Sequence, residues 1–491
     1  MKFKLKSLFF LFVLTFTNLF AQNTITILHT NDLHAQLTPL KATWIKQTPQ
    51  PLIGGIAALA QTIDQHKSES TLLLDAGDIL TGTLISRMEY QGVTGGALIV
   101  MMNKMGYKAS VVGNHDFDNG RQTLEKLMNL ADFDILSANL FLGDSLFAPK
   151  PYQIYKRGDV RIGVIGLTIS PILGLVPSTS LDSVRSQPLA QIAQKYIDEI
   201  DPITDLIVLL THQGAGPDSV LATQIHHADV IVGGHSHTRL DKPKVVNGML
   251  IVQAGSRARY LGELNLTVAG DSVQAYRGSL IPVWADSVNP NSEMSKMVQS
   301  FSSQIDAAFG DTIAILDHEL SHDRFKPDIS SVGIWVTNIL QRSLNSDIAI
   351  VNTGGLRKNL QPGPITQKDI YELLPFINYL VEFECSGEDI QRMILKYEKA
   401  MHHNNYESIQ FSGIQYQSEA VADSIQLSNI TIDKQPLELS KTYKGISIDY
   451  VIIENPIRYL GFKPIKIQIL KGKTMADFII QQLKNNPNLV E

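Results

Sequence analysis

Histidine, aspartate and asparagine residues recur in five short clusters along the first half of this 491-residue chain. Each cluster follows a run of apolar residues that is typical of a buried β-strand. The clusters are HTNDLH from residue 29, DAGD from residue 75, GNHDFD from residue 113, THQG from residue 211 and GHSH from residue 234. Ligands of layered α/β folds collect at the carboxyl ends of the strands, where we expect these side chains to lie.

The clusters supply two carboxylates, four imidazoles and one amide oxygen as candidate metal ligands. They belong to Asp32, His34, Asp78, Asn114, His212, His235 and His237. This mixture of nitrogen and oxygen suits Zn, Mn, Fe or Co and is too rich in nitrogen for a Ca or Mg site. Seven ligands exceed the need of one ion. They suit two ions about 3.5–4 Å apart with a bridging carboxylate, the arrangement of dinuclear sites that cleave phosphoesters.

Two of the clusters contain pairs of candidate ligands that are two residues apart. These pairs are Asp32 with His34 and His235 with His237. In an extended segment the side chains of such a pair point to the same side, which we expect for both. Gly113 and the other glycines of the clusters allow sharp turns and a close approach of the backbone to a ligand.

The apolar runs and the segments between them indicate two domains. From residue 24 to about 285, Val/Ile/Leu-rich runs alternate with helical patterns, which predicts a layered α/β domain with its sheet covered on both faces. Residues 286–310 carry apolar side chains at helical spacing and predict an amphipathic connecting helix. The remaining residues, 311–491, predict a smaller α+β domain.

Residues 1–21 predict a secretory signal peptide, because three lysines precede an apolar core from about Leu8 to Phe20. We expect cleavage after Ala21 and an exported protein, periplasmic or secreted, without a stable membrane span after cleavage. An uncleaved N-terminal anchor is the alternative. The net charge of −6 and the lack of a long basic run argue against a nucleic-acid partner. Cys385, the only cysteine, lies in an alternating strand pattern that predicts burial.

The order DLH, GD, GNHDFD, TH and GHSH is similar to that of the calcineurin-like metallophosphoesterases. The longer stretches ILHTNDLHAQL, GNHDFDNG and VIVGGHSHT, together with VNTGGLR and LLPFINYLV, resemble the 5'-nucleotidase and UDP-sugar hydrolase family of exported enzymes. The resemblance covers nearly the whole mature chain. It implies a four-layer αββα sandwich at residues 22–285, followed after the connecting helix by a substrate-binding domain.

The resemblance also implies how the metal ligands are shared. One metal would be held by Asp32, His34, Asp78 and His237. The other would be held by Asp78, Asn114, His212 and His235, so that Asp78 bridges the two. The implied reaction is the attack of a metal-bound hydroxide on a nucleoside 5'-monophosphate, a small-molecule substrate, with release of phosphate.

The other roles implied by the resemblance concern the phosphoryl group and the nucleoside. His115 would act on the phosphoryl group, and Asp118 would orient it and favour its protonated form. Arg357 would hold phosphate oxygens. Phe376 would stack on the nucleobase, with Asn378 beside it.

The chain departs from the family pattern near its C-terminus. The family's Gly-Gly-Asp-Gly loop is replaced within SIDYVIIENPIRYLGF, where Tyr450 can supply a second stacking face and Pro456 falls about where the aspartate would be. Phe376 and Tyr450 could equally be core residues. Arg324 is the nearest match to one of the family's paired arginines. UDP-sugars, cyclic nucleotides or sugar phosphates therefore remain alternative substrates, and a non-catalytic metal-holding binding protein is the alternative of another class.

Overall fold

The computed structural model describes residues 23–322, 330–402, 408–421 and 424–490. The predicted signal peptide and Arg324 lie outside the described residues. Among the helices in these ranges, none is both long enough and apolar enough to cross a membrane.

Two six-stranded sheets form the centre of the N-terminal domain, within residues 23–282. The order of strands in the first sheet is Val273–Pro282, Tyr260–Val268, Asn23–Thr30, Thr71–Asp75, Ala109–Val111, Asp134–Leu136. The order in the second sheet is Tyr152–Arg157, Val160–Thr168, Leu206–His212, Val230–Gly233, Met249–Val252, Lys244–Val246. The strands that precede the polar clusters pair in parallel within each sheet, so their carboxyl ends lie along one edge.

Apolar side chains from both sheets meet in one core, where Ile27 and Leu72 of the first sheet pack with Val208 and Val232 of the second. Helices cover the outer faces. Those on the first sheet are Ile56–His66, Gly96–Met105 and Arg121–Leu130. Those on the second are Leu189–Ile200 and Ala215–Leu221. Strands that are buried on both faces need continuous apolar runs, and the predicted αββα sandwich is confirmed.

The connecting helix spans Glu293–Phe309 and begins at Ser292, whose side chain accepts a hydrogen bond from the Ser295 N–H. Such a cap satisfies one of the free N–H groups of the first turn. Phe301 and Ile305 pack into the helix-covered core of the first sheet. The helix lies inside the predicted linker, residues 286–310, whereas the domain limits themselves stay predictions.

The C-terminal domain is built on a five-stranded mixed sheet, among residues 348–474. Its strands, in spatial order, are Ile409–Ser412, Ile348–Asn352, Thr442–Ile448, Tyr379–Ser386 and Ile465–Thr474. Its helices are Ser331–Leu344, Gln367–Leu373, Gly387–His402, Pro456–Tyr459 and Met475–Asn485. The predicted α+β architecture is confirmed. Cys385 is buried in this core, and burial raises the pKa of its thiol to about 12.

Short strands and single helical turns complete the fold. The strands are Leu40–Lys41, Leu52–Ile53, Glu89–Tyr90, Val93–Thr94, Leu140–Leu142, Ser145–Leu146, Val184–Ser186, Thr312–Leu316, Gly363–Thr366, Ile414–Val421, Ser424–Ile432 and Gln435–Pro436. The turns are Leu84–Arg87, His115–Phe117, Ser178–Leu181, Asp201–Ile203, Thr353–Gly355, Tyr450–Glu454 and Pro487–Val490. Five of these turns, those at residues 84–87, 115–117, 178–181, 353–355 and 450–454, contribute residues to the cleft described below.

Candidate active site

The polar clusters converge at the carboxyl ends of the parallel strands through unusual backbone conformations. Five of the seven predicted ligands have positive φ angles: Asp32 at 50°, His34 at 47°, Asp78 at 56°, His235 at 76° and His237 at 55°. Residues other than glycine seldom adopt this left-handed region, and each instance costs about 1–3 kcal/mol. The expectation of extended segments was therefore wrong. Asp32 and His34 nevertheless belong to one ligand group, whereas His235 and His237 belong to different groups.

Asp32, His34 and His237 form the first group of converging ligand atoms. The Nε2 atoms of His34 and His237 lie 2.9 Å apart, and Oδ1 of Asp32 lies 3.3 Å from His237 Nε2. Nδ1 of His34 is 2.8 Å from the Thr81 carbonyl oxygen, to which it donates, so that the lone pair remains on Nε2. Burial, together with the charge of His237, lowers the pKa of His34 well below its usual value. A neutral imidazole is the form that binds a metal.

Asp78, His212 and His235 form the second group. Nε2 of His212 lies 3.1 Å from Oδ2 of Asp78, while its Nδ1 donates to the Ala76 carbonyl oxygen at 2.6 Å. Asn114 joins the group, since its Oδ1 lies 2.8 Å from Nδ1 of His235. The seven ligands predicted from the sequence thus lie together in one place.

Asp78 is the carboxylate that reaches both groups. Its Oδ2 lies 3.1 Å from His212 Nε2 and 3.9 Å from His34 Nε2. Apart from this contact with each other, Asp78 Oδ2 and His212 Nε2 are buried without a hydrogen-bond partner, an arrangement that a bound cation would stabilise. Burial opposes protonation of His212, but Asp78 outweighs it and raises the pKa of His212 to about 10. The site therefore favours positive charge at this point, and its N/O donors fit two transition-type cations.

Small residues let these side chains approach each other. A Cβ on Gly113 would lie 2.2 Å from Oδ1 of Asp78, and one on Gly234 would lie 2.4 Å from the Ala76 carbonyl oxygen and 2.8 Å from His212 Nδ1. All three distances are shorter than nonbonded atoms tolerate. Glycine is thus required at these positions for packing.

His115 lies beside the ligand groups, in the short helical turn His115–Phe117. Its Nδ1 is 2.9 Å from Oδ2 of Asp118, as expected for an orienting carboxylate. Burial lowers the tendency of His115 to be protonated, but Asp118 and Asp78 outweigh burial and raise the pKa of its imidazole. The ring is therefore suited to carry a proton toward a phosphoryl group.

Asp116 is a positioning residue that the sequence analysis did not single out. Its buried carboxylate accepts hydrogen bonds from the backbone N–H groups of Gly113 at 2.8 Å, Ile79 at 3.0 Å, Leu80 at 3.2 Å and Asp78 at 3.3 Å. It thereby fixes the loop of Asp78 against the loop of His115. The one feature of the sequence that could have indicated this role is the position of Asp116 inside the GNHDFD cluster.

A cleft of about 660 Å³ opens beside His115 and is lined by both domains. The predicted substrate-side residues Arg357, Phe376, Asn378 and Tyr450 all line it. The ring centroids of His115 and Phe376 lie 5.2 Å apart, and Cζ of Arg357 lies 5.7 Å from the Phe376 centroid. The structure thus brings the predicted phosphate, base and metal residues together, except for Arg324, which lies outside the described residues.

Comparison with known proteins agrees with this geometry. Residues 25–239 match the family described as calcineurin-like phosphoesterase, and residues 313–456 match the 5'-nucleotidase C-terminal domain. The chain belongs to the 5'-nucleotidase family. It is a phosphoric monoester hydrolase of the metallophosphoesterase type that uses two divalent metals, which confirms the predictions of family, enzyme class and cofactor.

Individual relatives of this 5'-nucleotidase family member cover most of its length. A 5'-nucleotidase of Vibrio cholerae is 28% identical over 86% of this chain and 83% of its own. Protein UshA of Escherichia coli is 26% identical over 91% of this chain and 90% of its own. The crystal structure of a 5'-nucleotidase precursor from Thermus thermophilus has a TM-score of 0.79 at 27% identity, covering 94% of this chain and 96% of that one.

In this family member the cleft also contains an arginine that sequence reasoning missed. Arg87 of the phosphoesterase domain lines the cleft, and its guanidinium donates a hydrogen bond to the Pro375 carbonyl oxygen of the C-terminal domain. Its Cζ lies 5.4 Å from the Tyr371 ring centroid. Arg87 sits in LISRMEY, which carries no local motif, so only the meeting of the two domains reveals it.

Proposed function

We propose that this protein is an exported nucleotidase that releases phosphate from nucleoside 5'-monophosphates. The observation that carries the proposal is a single cleft in which His115 of the phosphoesterase domain contacts Phe376 of the C-terminal domain. Such a cleft can hold a phosphate at one end and a flat base at the other. The relatives named 5'-nucleotidase support this assignment.

We assign one cation to Asp32, His34, Asp78 and His237, and the other to Asp78, Asn114, His212 and His235. When bound, the two cations supply a nucleophile at neutral pH by lowering the pKa of a water molecule. Asp78 holds both halves of the ligand set at a fixed separation. The carbonyl oxygens of Thr81 and Ala76 fix the ring orientations of His34 and His212.

His115 and Arg357 are assigned to the phosphoryl group. Because Asp118 accepts a hydrogen bond at Nδ1 of His115, Nε2 is the atom that can donate to a phosphoryl oxygen or to the departing alkoxide. Arg357 adds a second cationic donor, and its position is fixed by a hydrogen bond of 2.8 Å from Nη2 of Arg257 to the Arg357 carbonyl oxygen. Donors that are fixed before the reaction stabilise the charge that develops on the phosphoryl oxygens.

Phe376 and Tyr450 are assigned to the nucleobase, with Asn378 beside them. All three line the cleft, so the core alternative for the two aromatic residues is not favoured. The replacement of the glycine loop by the helical turns Tyr450–Glu454 and Pro456–Tyr459 favours a second candidate. That candidate is the same chemistry on UDP-sugars, cyclic nucleotides or sugar phosphates.

A phosphate-release screen tests the proposal. The protein without residues 1–21 is supplied with Mn, Zn or Co and assayed on AMP, UMP, UDP-glucose, a cyclic nucleotide, ribose 5-phosphate and a chromogenic phosphate ester. Preference for the 5'-monophosphates is expected. Because the first cleavage of UDP-glucose or of a cyclic nucleotide frees no inorganic phosphate, the nucleotide products are also separated by chromatography. Faster turnover of another class would favour the second candidate, and no hydrolysis product with any ion would contradict both. Cleavage and export are tested separately by N-terminal sequencing of protein recovered outside the producing cell.

A further inference from the structure

The two domains also meet at residues 173–180, away from the contacts of Arg87, His115 and Arg257 described above. The Tyr450 hydroxyl donates a hydrogen bond of 3.0 Å to the Gly174 carbonyl oxygen, and Nη1 of Arg458 donates to the same oxygen at 3.1 Å. Nearby, the Ser178 hydroxyl donates to Oε1 of Glu454 at 2.9 Å. Residues 173–180 of the phosphoesterase domain, here called the wall loop, are thus bonded to the helical turns that follow Asp449.

The wall loop forms part of the cleft itself. Leu175, Pro177, Thr179 and Ser180 line the same cavity as Phe376. On the C-terminal domain, the facing side is lined by Asp449, Tyr450, Arg458 and Tyr459. The cleft is therefore enclosed by both domains at the nucleoside end as well as at the phosphate end.

The conformation of the wall loop depends on Gly174. Its φ angle is +89°, in the left-handed region, and a Cβ there would lie 3.3 Å from Oδ1 of Asn455. In this conformation the Gly174 carbonyl oxygen accepts hydrogen bonds from both Tyr450 and Arg458. Glu454 lies in the segment that replaces the family's glycine loop. Its carboxylate accepts a hydrogen bond from Ser178 and so also holds the wall loop against the C-terminal domain.

We propose that the wall loop is a specificity element for the nucleoside, with Thr179 and Ser180 supplying hydroxyl groups to the sugar and Leu175 and Pro177 supplying apolar contact. Tyr450 has a second task in this arrangement, because its hydroxyl holds the loop while its ring faces the cleft. The inference rests on the proposed function, and it locates nucleoside recognition partly on the phosphoesterase domain. Hydroxyl side chains suit this task because they both donate to and accept from sugar hydroxyl groups.

The test compares three variants with the unmodified protein: Thr179→Ala with Ser180→Ala, Tyr450→Phe, and Tyr276→Phe as the matched tyrosine control on an exposed strand. The specificity constants kcat/KM are measured for AMP, ribose 5-phosphate and p-nitrophenyl phosphate. We expect the first two variants to lose about 3- to 10-fold more on AMP than on p-nitrophenyl phosphate, the range for one or two lost hydrogen bonds. Binding of adenosine, measured by titration calorimetry without added metal, should weaken to a similar extent.

Equal losses on all three substrates would overturn the inference, because the contacts would then serve only to hold the domains together. Unchanged adenosine affinity in the double variant would also overturn it. Failure of the proposed function is a different result, since the unmodified protein would then release no phosphate from AMP while still binding the metals. The control variant should match the unmodified protein in every measurement.

Discussion

The imidazole ring of His115 and the phenyl ring of Phe376 lie 5.2 Å apart between centroids, inclined by 31°. The two residues are far apart in the sequence and belong to different domains. Their contact joins the proposed phosphate end of the cleft to the proposed base end. The predictions below follow from this arrangement and from the packing around it.

Substitution His115→Ala should lower kcat on AMP by about 10²–10⁴-fold, the usual contribution of one proton-transferring side chain. Metal content, measured by mass spectrometry of the dialysed protein, should stay unchanged because His115 is not assigned to either cation. Substitution of the exposed His226 by alanine is the control and should leave kcat unchanged. Equal activity of His115→Ala and the unmodified protein would contradict the assigned role.

Removal of metal should lower the melting temperature. Without cations, the buried Asp78 carboxylate and the facing His34 and His237 rings lose the charges and ligands that satisfy them. Restoring a cation at about 100 times its dissociation constant should stabilise the fold by about 2.7 kcal/mol per site. Differential scanning calorimetry with and without chelator measures the change. Asp78→Asn should reduce the difference in melting temperature between the two conditions. An identical melting curve of the unmodified protein with and without chelator would contradict the proposed metal site.

Asp116→Asn should weaken the metal site although Asp116 is not among the assigned ligands. Its carboxylate accepts four backbone N–H groups, which an amide cannot fully replace. We expect a loss of about 1–3 kcal/mol of stability, together with lower metal affinity. Metal titration followed by activity and by thermal unfolding separates the two effects. Unchanged metal affinity would show that the Asp78 loop holds its conformation without this carboxylate.

Phe376→Ala should raise KM for AMP by about 5- to 150-fold, since base stacking on one aromatic ring is worth about 1–3 kcal/mol. Ribose 5-phosphate, which lacks a base, should be affected much less. Phe376→Tyr keeps a stacking ring and is the matched control. Equal effects of Phe376→Ala on AMP and ribose 5-phosphate would show that the ring acts through His115 instead of through the base.

Asp229 should make the unfolding free energy depend on pH, away from the metal site. Its Oδ2 accepts from the Ile207 N–H at 2.8 Å, and burial raises the pKa of the carboxyl to about 6. The folded form therefore binds the proton more tightly than the unfolded form, so stability falls as pH rises from about 4 to 6. Relative to Asp229→Asn, the unmodified protein should lose up to about 3 kcal/mol over this interval. Denaturant unfolding at several pH values measures the difference between the two proteins, and a difference that stays constant with pH would contradict the prediction.

The sequence predicted the ligand types and their place at strand ends, because apolar runs that stop at His, Asp and Asn put metal-binding groups at the edge of a sheet. It did not predict the left-handed backbone at Asp32, His34 or Asp78, since aspartate and histidine adopt this region more often than most residues but still in few cases. The positions of Arg87 and of the wall loop in the cleft could not be predicted from the sequence either. Their roles depend on which surfaces of two domains meet, and neither segment carries a motif of its own.

The glycines packed against Asp78 and His212 bear on how this protein could be altered in the laboratory. Any side chain at Gly113 or Gly234 would displace Asp78 or His212, which are assigned to the cations, so random mutagenesis should return almost no active clones at those codons. Leu175, Thr179 and Ser180 should tolerate variation better, because none of them is buried in the core. A library confined to them offers the most direct route to an enzyme with a changed choice of nucleoside.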